Sequence, residues 1–160
     1  MLREFRVNYA DAPSAMFKAG TELKTGMGVV KNYVDGTLEL PSSATAEGIF
    51  LVYKMPYPTG RDAAFDDFSD YYEPFHTVDE GEFAVAYSYD GDSAFGTDQY
   101  AATITAASLA AGPKYVAVGT DGKWDIAASG ENSKYLATKI YDDAGHALLH
   151  VEVVDAGANA

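Results

Sequence analysis

The chain contains no cysteine. Disulfide frameworks, thiol nucleophiles and cysteine-type zinc sites are excluded together, and the absence fits a reducing compartment. Positive charge is scarce: 11 lysines and arginines face 24 aspartates and glutamates, a formal net charge of −13. A surface of that sign repels nucleic-acid phosphates and anionic lipid, so neither nucleic acid nor membrane is expected as a direct partner. Long apolar runs are missing as well. No stretch approaches the roughly 20 apolar residues that span a bilayer, and the opening MLREFRVNYADAPSAMFKAG lacks an apolar core of signal-peptide length.

What the chain does have points to one fold class. Its 160 residues suit one typical domain, and 48% hydrophobic content supplies a core. Fifteen glycines, twelve tyrosines and eight phenylalanines favour short elements joined by tight turns, with aromatic rings on pleated surfaces. The expectation is all-β: a small β-barrel or β-sandwich of short antiparallel hairpins, with an extended N-terminal arm and an aromatic-rich insertion.

Residues 1–19 read as the arm. Phe5, Val7 and Tyr9 alternate as in a strand before Asp11-Ala12-Pro13 interrupts. The segment is either a first edge strand or an extension that pairs with another chain. Residues 20–154 read as the β domain, and 155–160 as a loose tail. Within the domain, Asp35-Gly36 and Asp121-Gly122 each separate two strand-like runs, the signature of a type I′ hairpin turn. The surrounding text is nearly repeated: DGTLELPSSATAEG from Asp35 and DGKWDIAASGENSK from Asp121. Gly26 and Gly112 open the two copies, which predicts two three-stranded meanders, over 20–54 and 112–154. Residues 49–53 read as a strand buried on both faces. In GEFAVAYSYD, Phe83, Val85, Tyr87 and Tyr89 share one face and small residues the other. AATITAASLAAG balances helix-favouring alanine against a strand-favouring Thr-Ile-Thr. The insertion, 55–80, carries Pro56, Pro58 and Pro74 with Phe65, Phe68, Tyr71, Tyr72 and Phe75, and reads as an aromatic flap or a partner-facing surface.

A search for chemistry returns little. His146 and His150 lie in strand-like text, where residues four apart are about 13 Å from each other, too far for one metal. DGDSAFGTDQYA begins like a calcium loop, but Ala94 and Phe95 stand at its fifth and sixth positions, where a ligand and a glycine are needed. There is no Gly-x-Ser-x-Gly, phosphate loop or dinucleotide fingerprint. The expectation is a non-enzyme without cofactor or metal. Trp124, Tyr71, Tyr72, Tyr87, Tyr89 and Tyr100 could form a sugar-stacking platform, although a barrel core or subunit interface needs the same residue types.

VVKNYVDGTLELPSSATAEGIFLV, from Val29 to Val52, resembles the head-decoration, or capsid cement, proteins of tailed phages. The resemblance rests on strand, Asp35-Gly36 turn, strand, the Ala44 to Ala46 link, then Gly48-Ile49 opening a buried strand. GEFAVAYSY from Gly81 resembles the next strand of such proteins, and the run from Gly122 to Val154 is similar to the closing half of related capsid auxiliary proteins. The insertion at 55–80 departs from that pattern. The resemblance implies a structural virion protein, made in the host cytoplasm, that binds the major capsid protein on the shell exterior as a homotrimer and reinforces it against internal DNA pressure. Arg3, Phe5, Arg6, Val7 and Tyr9 of the arm suit such docking by strand addition, and Phe65, Phe68, Tyr71, Tyr72 and Phe75 form a second partner-facing candidate. The alternative is a carbohydrate- or receptor-binding β module of a phage tail or fibre, using those aromatics with Trp124.

Overall fold

A computed structural model describes residues 1–11, 14–54 and 71–160. The protein is nearly all β. Strands β1 (Leu2–Arg6), β2 (Ser14–Ala19), β3 (Leu23–Lys24), β4 (Gly28–Asn32), β5 (Thr37–Glu39) and β6 (Phe50–Tyr53) precede a 3₁₀ turn at Glu73–Phe75. After it come β7 (Thr77–Val78), β8 (Phe83–Tyr87), β9 (Ala94–Thr97), a short helix α1 (Ala106–Ala110), β10 (Lys114–Val118), β11 (Trp124–Ile126), β12 (Ser133–Asp143) and β13 (His146–Gly157). Helix α1 settles the mixed signal at 101–112. Thr105 caps it reciprocally with Ser108, and the strand-favouring Thr103-Ile104-Thr105 lies just before it.

Two β units result. Strands β2-β5-β4-β6-β8 close into a barrel, and β1-β9-β13-β12-β10-β11 form a six-stranded sheet; β3 and β7 pair separately. Each has its own apolar cluster. The barrel cluster holds Val29, Leu38, Val52, Ala84 and Ala86, joined by Leu23 and Val78. The alternation expected along β8 is present, and its inward residues are the small ones, while Phe83 is 57% exposed. Alanine fits there because a five-stranded barrel leaves a narrow interior that side chains must fill without voids. The larger cluster lies between barrel and sheet. Ile49 and Leu51 enter from the barrel side; Phe95, Val116, Val118, Trp124, Tyr135, Leu149 and Val151 enter from the sheet. Leu51 faces this second cluster and Val52 the first, so β6 is buried on both faces as its sequence implies.

The backbone also crosses between the units. Thr45 and Val118 exchange N–H···O bonds of 3.0 and 2.8 Å, and Gly28 N–H donates to the Gly122 carbonyl at 2.9 Å. The Trp124 indole donates to the Gly26 carbonyl at 3.2 Å, which satisfies its one polar atom in the core.

The repeated text has a structural counterpart, though not the expected meander. β4 pairs with both β5 and β6, and β10 pairs with both β11 and β12, all antiparallel. In each copy the first strand is therefore central, and the third returns to its other side. The turns also differ from the type I′ expectation. Gly36 and Gly122 have positive φ (67° and 76°), but neither preceding aspartate does. In the first copy Asn32 pairs with Thr37, leaving a four-residue loop. The Asn32 side chain accepts from the N–H groups of Val34 (3.0 Å) and Asp35 (3.2 Å), which stabilises the longer connection over a two-residue turn.

At the N-terminus the structure shows the first of the two readings, an edge strand. Residues 1–19 do not form a separate arm: β1 is the edge strand of the six-stranded sheet, paired with β9, and β2 closes the barrel between β5 and β8. Leu2 is buried, which anchors the strand in its own sheet. The tail is not loose either. β13 runs to Gly157, and the Asn159 carboxamide accepts from Tyr115 N–H (3.0 Å) and donates to the carbonyls of Tyr115 (2.8 Å) and Ala127 (3.0 Å). Those bonds satisfy the backbone of β10 where its ladder ends.

Candidate functional site

The six-stranded sheet covers the barrel with one face, and its opposite face is partly covered and partly open. Leu149, Val151 and Val153 of β13 point into the shared core, so the alternate residues Leu148, His150 and Glu152 lie on the opposite face, where Leu148 is itself fully buried and His150 and Glu152 are half-buried. Strand pairing aligns Arg3 with Gly96, Gly96 with His150, and His150 with Lys139, one row across β1, β9, β13 and β12. Gly96 leaves a gap in that row. The Tyr141 ring lies over it so closely that a Cβ on Gly96 would collide with the phenol oxygen. Aromatic cover of a sheet glycine replaces the packing that the missing side chain would supply.

Beside this pair lies a hollow of about 230 Å³ lined by Phe5, Lys139, Tyr141 and His150. Phe5 meets the Tyr141 ring edge-on at 5.6 Å and the His150 ring at 5.1 Å. The His150 Nδ1 is 2.9 Å from Thr138 Oγ1. Burial lowers the His150 pKa, so its imidazole is neutral near pH 7. Burial likewise pushes the Tyr141 phenol up to about 12, and its buried oxygen has no hydrogen-bond partner among the described residues. That phenol can donate a hydrogen bond but is not poised to act as a base.

At one end of the hollow, Asp143 accepts from Tyr71 Oη at 2.6 Å and Arg3 Nε at 2.8 Å. These two bonds hold its carboxyl below the usual carboxylate range. The Tyr71 ring stacks on His146, with centroids 3.6 Å apart. The structure thus unites Arg3 and Phe5 with Tyr71, residues that the sequence reading assigned to separate segments. Arg6 lies 3.8 Å from Glu152. Val7 is 42% exposed, and Tyr9 stacks on Tyr87 and Tyr89 at 5.3 and 5.8 Å. Glu4 accepts from the hydroxyls of Tyr89 (2.6 Å) and Tyr9 (3.0 Å). Tyr72 and Phe75 meet each other edge to face at 5.1 Å, and Glu73 between them pairs with Lys24. Phe65 and Phe68 lie outside the described residues.

Sequence reasoning missed Gly96, Lys139, Tyr141 and the place of His150. Alternation in KIYDD would have put Lys139 and Tyr141 on one side, but only strand pairing sets Gly96 and His150 beside them. The proposed sugar platform loses two members: Trp124 and Tyr89 are both fully buried in the shared core. Among the described residues, no cluster of three or more histidine, aspartate or glutamate side chains could hold a metal ion. The hollow has two aromatic walls, with the Lys139 ammonium and the neutral His150 imidazole beside them. Comparison with family models, curated proteins and solved structures found no significant match.

Proposed function

We propose that this protein is a structural component of a tailed-phage virion, a decoration protein that binds the major capsid protein on the shell exterior, as a homotrimer, and acts by docking rather than by catalysis. The observation that carries the reading is the β1 edge. β1 is a terminal strand of a six-stranded sheet, and it and the residues after it display Phe5, Val7 and Tyr9 at 49%, 42% and 38% exposure. An edge strand presents unpaired backbone groups to a partner strand, and alternate side chains fix the register. The similarity of the runs from Val29 to Val52 and from Gly122 to Val154 to capsid cement proteins gives the partner its class. Many copies on one lattice would hold firmly even where each contact is weak. The glycan-binding reading is not favoured, because its tryptophan is in the core.

The test is co-sedimentation with shells assembled from the major capsid protein of the virion that carries this chain. Deleting 1–16 would remove β1 and the start of β2, so surface substitutions are the better probe. Val7→Asp with Tyr9→Asp should weaken shell binding at least tenfold while circular dichroism stays unchanged. Undiminished binding by that folded variant would overturn the proposal.

A further inference from the structure

The loop between β4 and β5 ends in Tyr33 and Val34, which are 74% and 93% exposed. Turn tips ordinarily carry polar residues that bond their own backbone. Here that task falls to Asn32. Its Oδ1 accepts from the N–H groups of Val34 and Asp35, and its Nδ2 donates to Asp35 Oδ2 at 2.9 Å and Glu39 Oε1 at 2.8 Å. Phe17 braces the Tyr33 ring edge to face at 5.5 Å. Two apolar side chains are thus held out on a loop that is already ordered, so a partner need not bear the entropy of fixing it.

We infer that the hollow lined by Phe5, Lys139, Tyr141 and His150 is the socket for this hairpin tip from a second copy of the chain. Three features of the socket match the tip. Its volume, about 230 Å³, falls below the roughly 300–1,000 Å³ of small-molecule pockets and suits one or two side chains. Its walls are the Phe5 and Tyr141 rings, complementary to the apolar side chains of Val34 and Tyr33. Lys139 has no acid partner among the described residues, whereas Arg3 and Arg6 on the same side already have theirs, and the tip carries Asp35 next to Val34.

Each copy carries −13, so two copies repel unless a locally cationic patch meets an acidic loop. Tip and socket are different surfaces, so the contact is head to tail and closes into a ring when the rotation permits. It uses only the Phe5 ring from the β1 region, leaving Val7, Tyr9 and the open backbone edge for another partner. The inference stands apart from shell binding and is tested on the isolated protein.

Sedimentation equilibrium over a wide concentration range decides it. The wild-type chain should self-associate. Val34→Asp removes the tip and Lys139→Glu reverses the socket charge, both at exposed positions, and each should weaken association at least tenfold. Mixed one to one, the two variants should form a dimer and go no further, because one intact tip and one intact socket remain. Asp35→Lys should weaken association alone and recover it when combined with Lys139→Glu. A wild-type chain that stays monomeric, single variants that associate like wild type, or a mixture that stays monomeric would each overturn the inference.

Discussion

Gly28 of the barrel lies against Val118 of the sheet, and enlarging it tests whether they share one core. A Cβ at Gly28 would overlap Val118 Cγ2, lie 2.9 Å from Val118 Cγ1 and 3.1 Å from Ile49 Cγ2. Its backbone φ is not positive, so alanine adds no torsional strain and the penalty is steric. Restricting the unfolded chain would favour alanine by about 0.4–1 kcal/mol. Forcing a methyl into a packed core costs about 1–3 kcal/mol, so Gly28→Ala should destabilise by roughly 1–2 kcal/mol. Val118 is fully buried, and Val118→Ala removes two methyls, about 1.6 kcal/mol of transfer energy, with a cavity term bringing the loss to roughly 2–3 kcal/mol. In the double variant the new methyl enters the space that the valine vacates. Its loss should therefore be about 1–2 kcal/mol smaller than the sum of the single losses. Urea denaturation followed by both circular dichroism and Trp124 fluorescence measures all four proteins, and coincident transitions establish two-state behaviour. Additivity within about 0.5 kcal/mol would refute the reasoning, since distant, independent sites add to that extent.

Two tyrosines make a matched pair for the same assay. Tyr89→Phe removes a fully buried ring's 2.6 Å bond to the Glu4 carboxylate and should cost about 1.5 kcal/mol, whereas Tyr141→Phe removes a hydroxyl with no partner among the described residues and should change stability by less than about 0.5 kcal/mol or raise it; the reverse order would contradict the assignment of those bonds. The acid limb of the stability curve tests Asp143, whose pKa is depressed by its bonds from Tyr71 and Arg3. A depressed carboxyl stabilises the fold above its unfolded pKa of about 3.9, and that contribution disappears as pH falls through the folded value. Asp143→Asn should flatten the loss of thermal stability below about pH 4, and an acid limb identical to wild type would refute the pairing.

Local signals carried the fold class and failed wherever the answer lay across the chain. The alternation of FAVAY and the doubly apolar run at 49–53 are properties of single strands, and both are found in the structure. The inward face of β8 could not be read, because it depends on the diameter of a barrel closed by a parallel β2–β5 contact. REFRV and its alternation describe an edge strand of this chain and an arm for another equally well; burial of Leu2 against the shared core decides between them. The hollow was hidden for a related reason. Residues 3, 96, 139 and 150 become neighbours only through three registers on four strands, and shifting any strand by one residue would turn its member of the row to the other face.

The repeated phrase shows how far identical local text determines position. Leu38 and Trp124 each stand two residues after the turn glycine, and both are fully buried. Alternation and turn thus send the same site inward in both copies. What each residue meets there differs: Leu38 packs among Val29, Val52, Ala84 and Ala86 inside the barrel, while Trp124 packs among Phe95 and Tyr135 between the two units. A closed five-stranded barrel that admits alanine at two positions of β8 has no room for an indole. An open sheet lying on another body adjusts its spacing to the side chains between them, and there the indole fits with its N–H bonded across to Gly26. Side-chain size, not strand pattern, therefore separates the copies: the leucine text closes on itself, and the tryptophan text needs the first copy's outer surface to complete its core. That dependence joins barrel and sheet through one shared core.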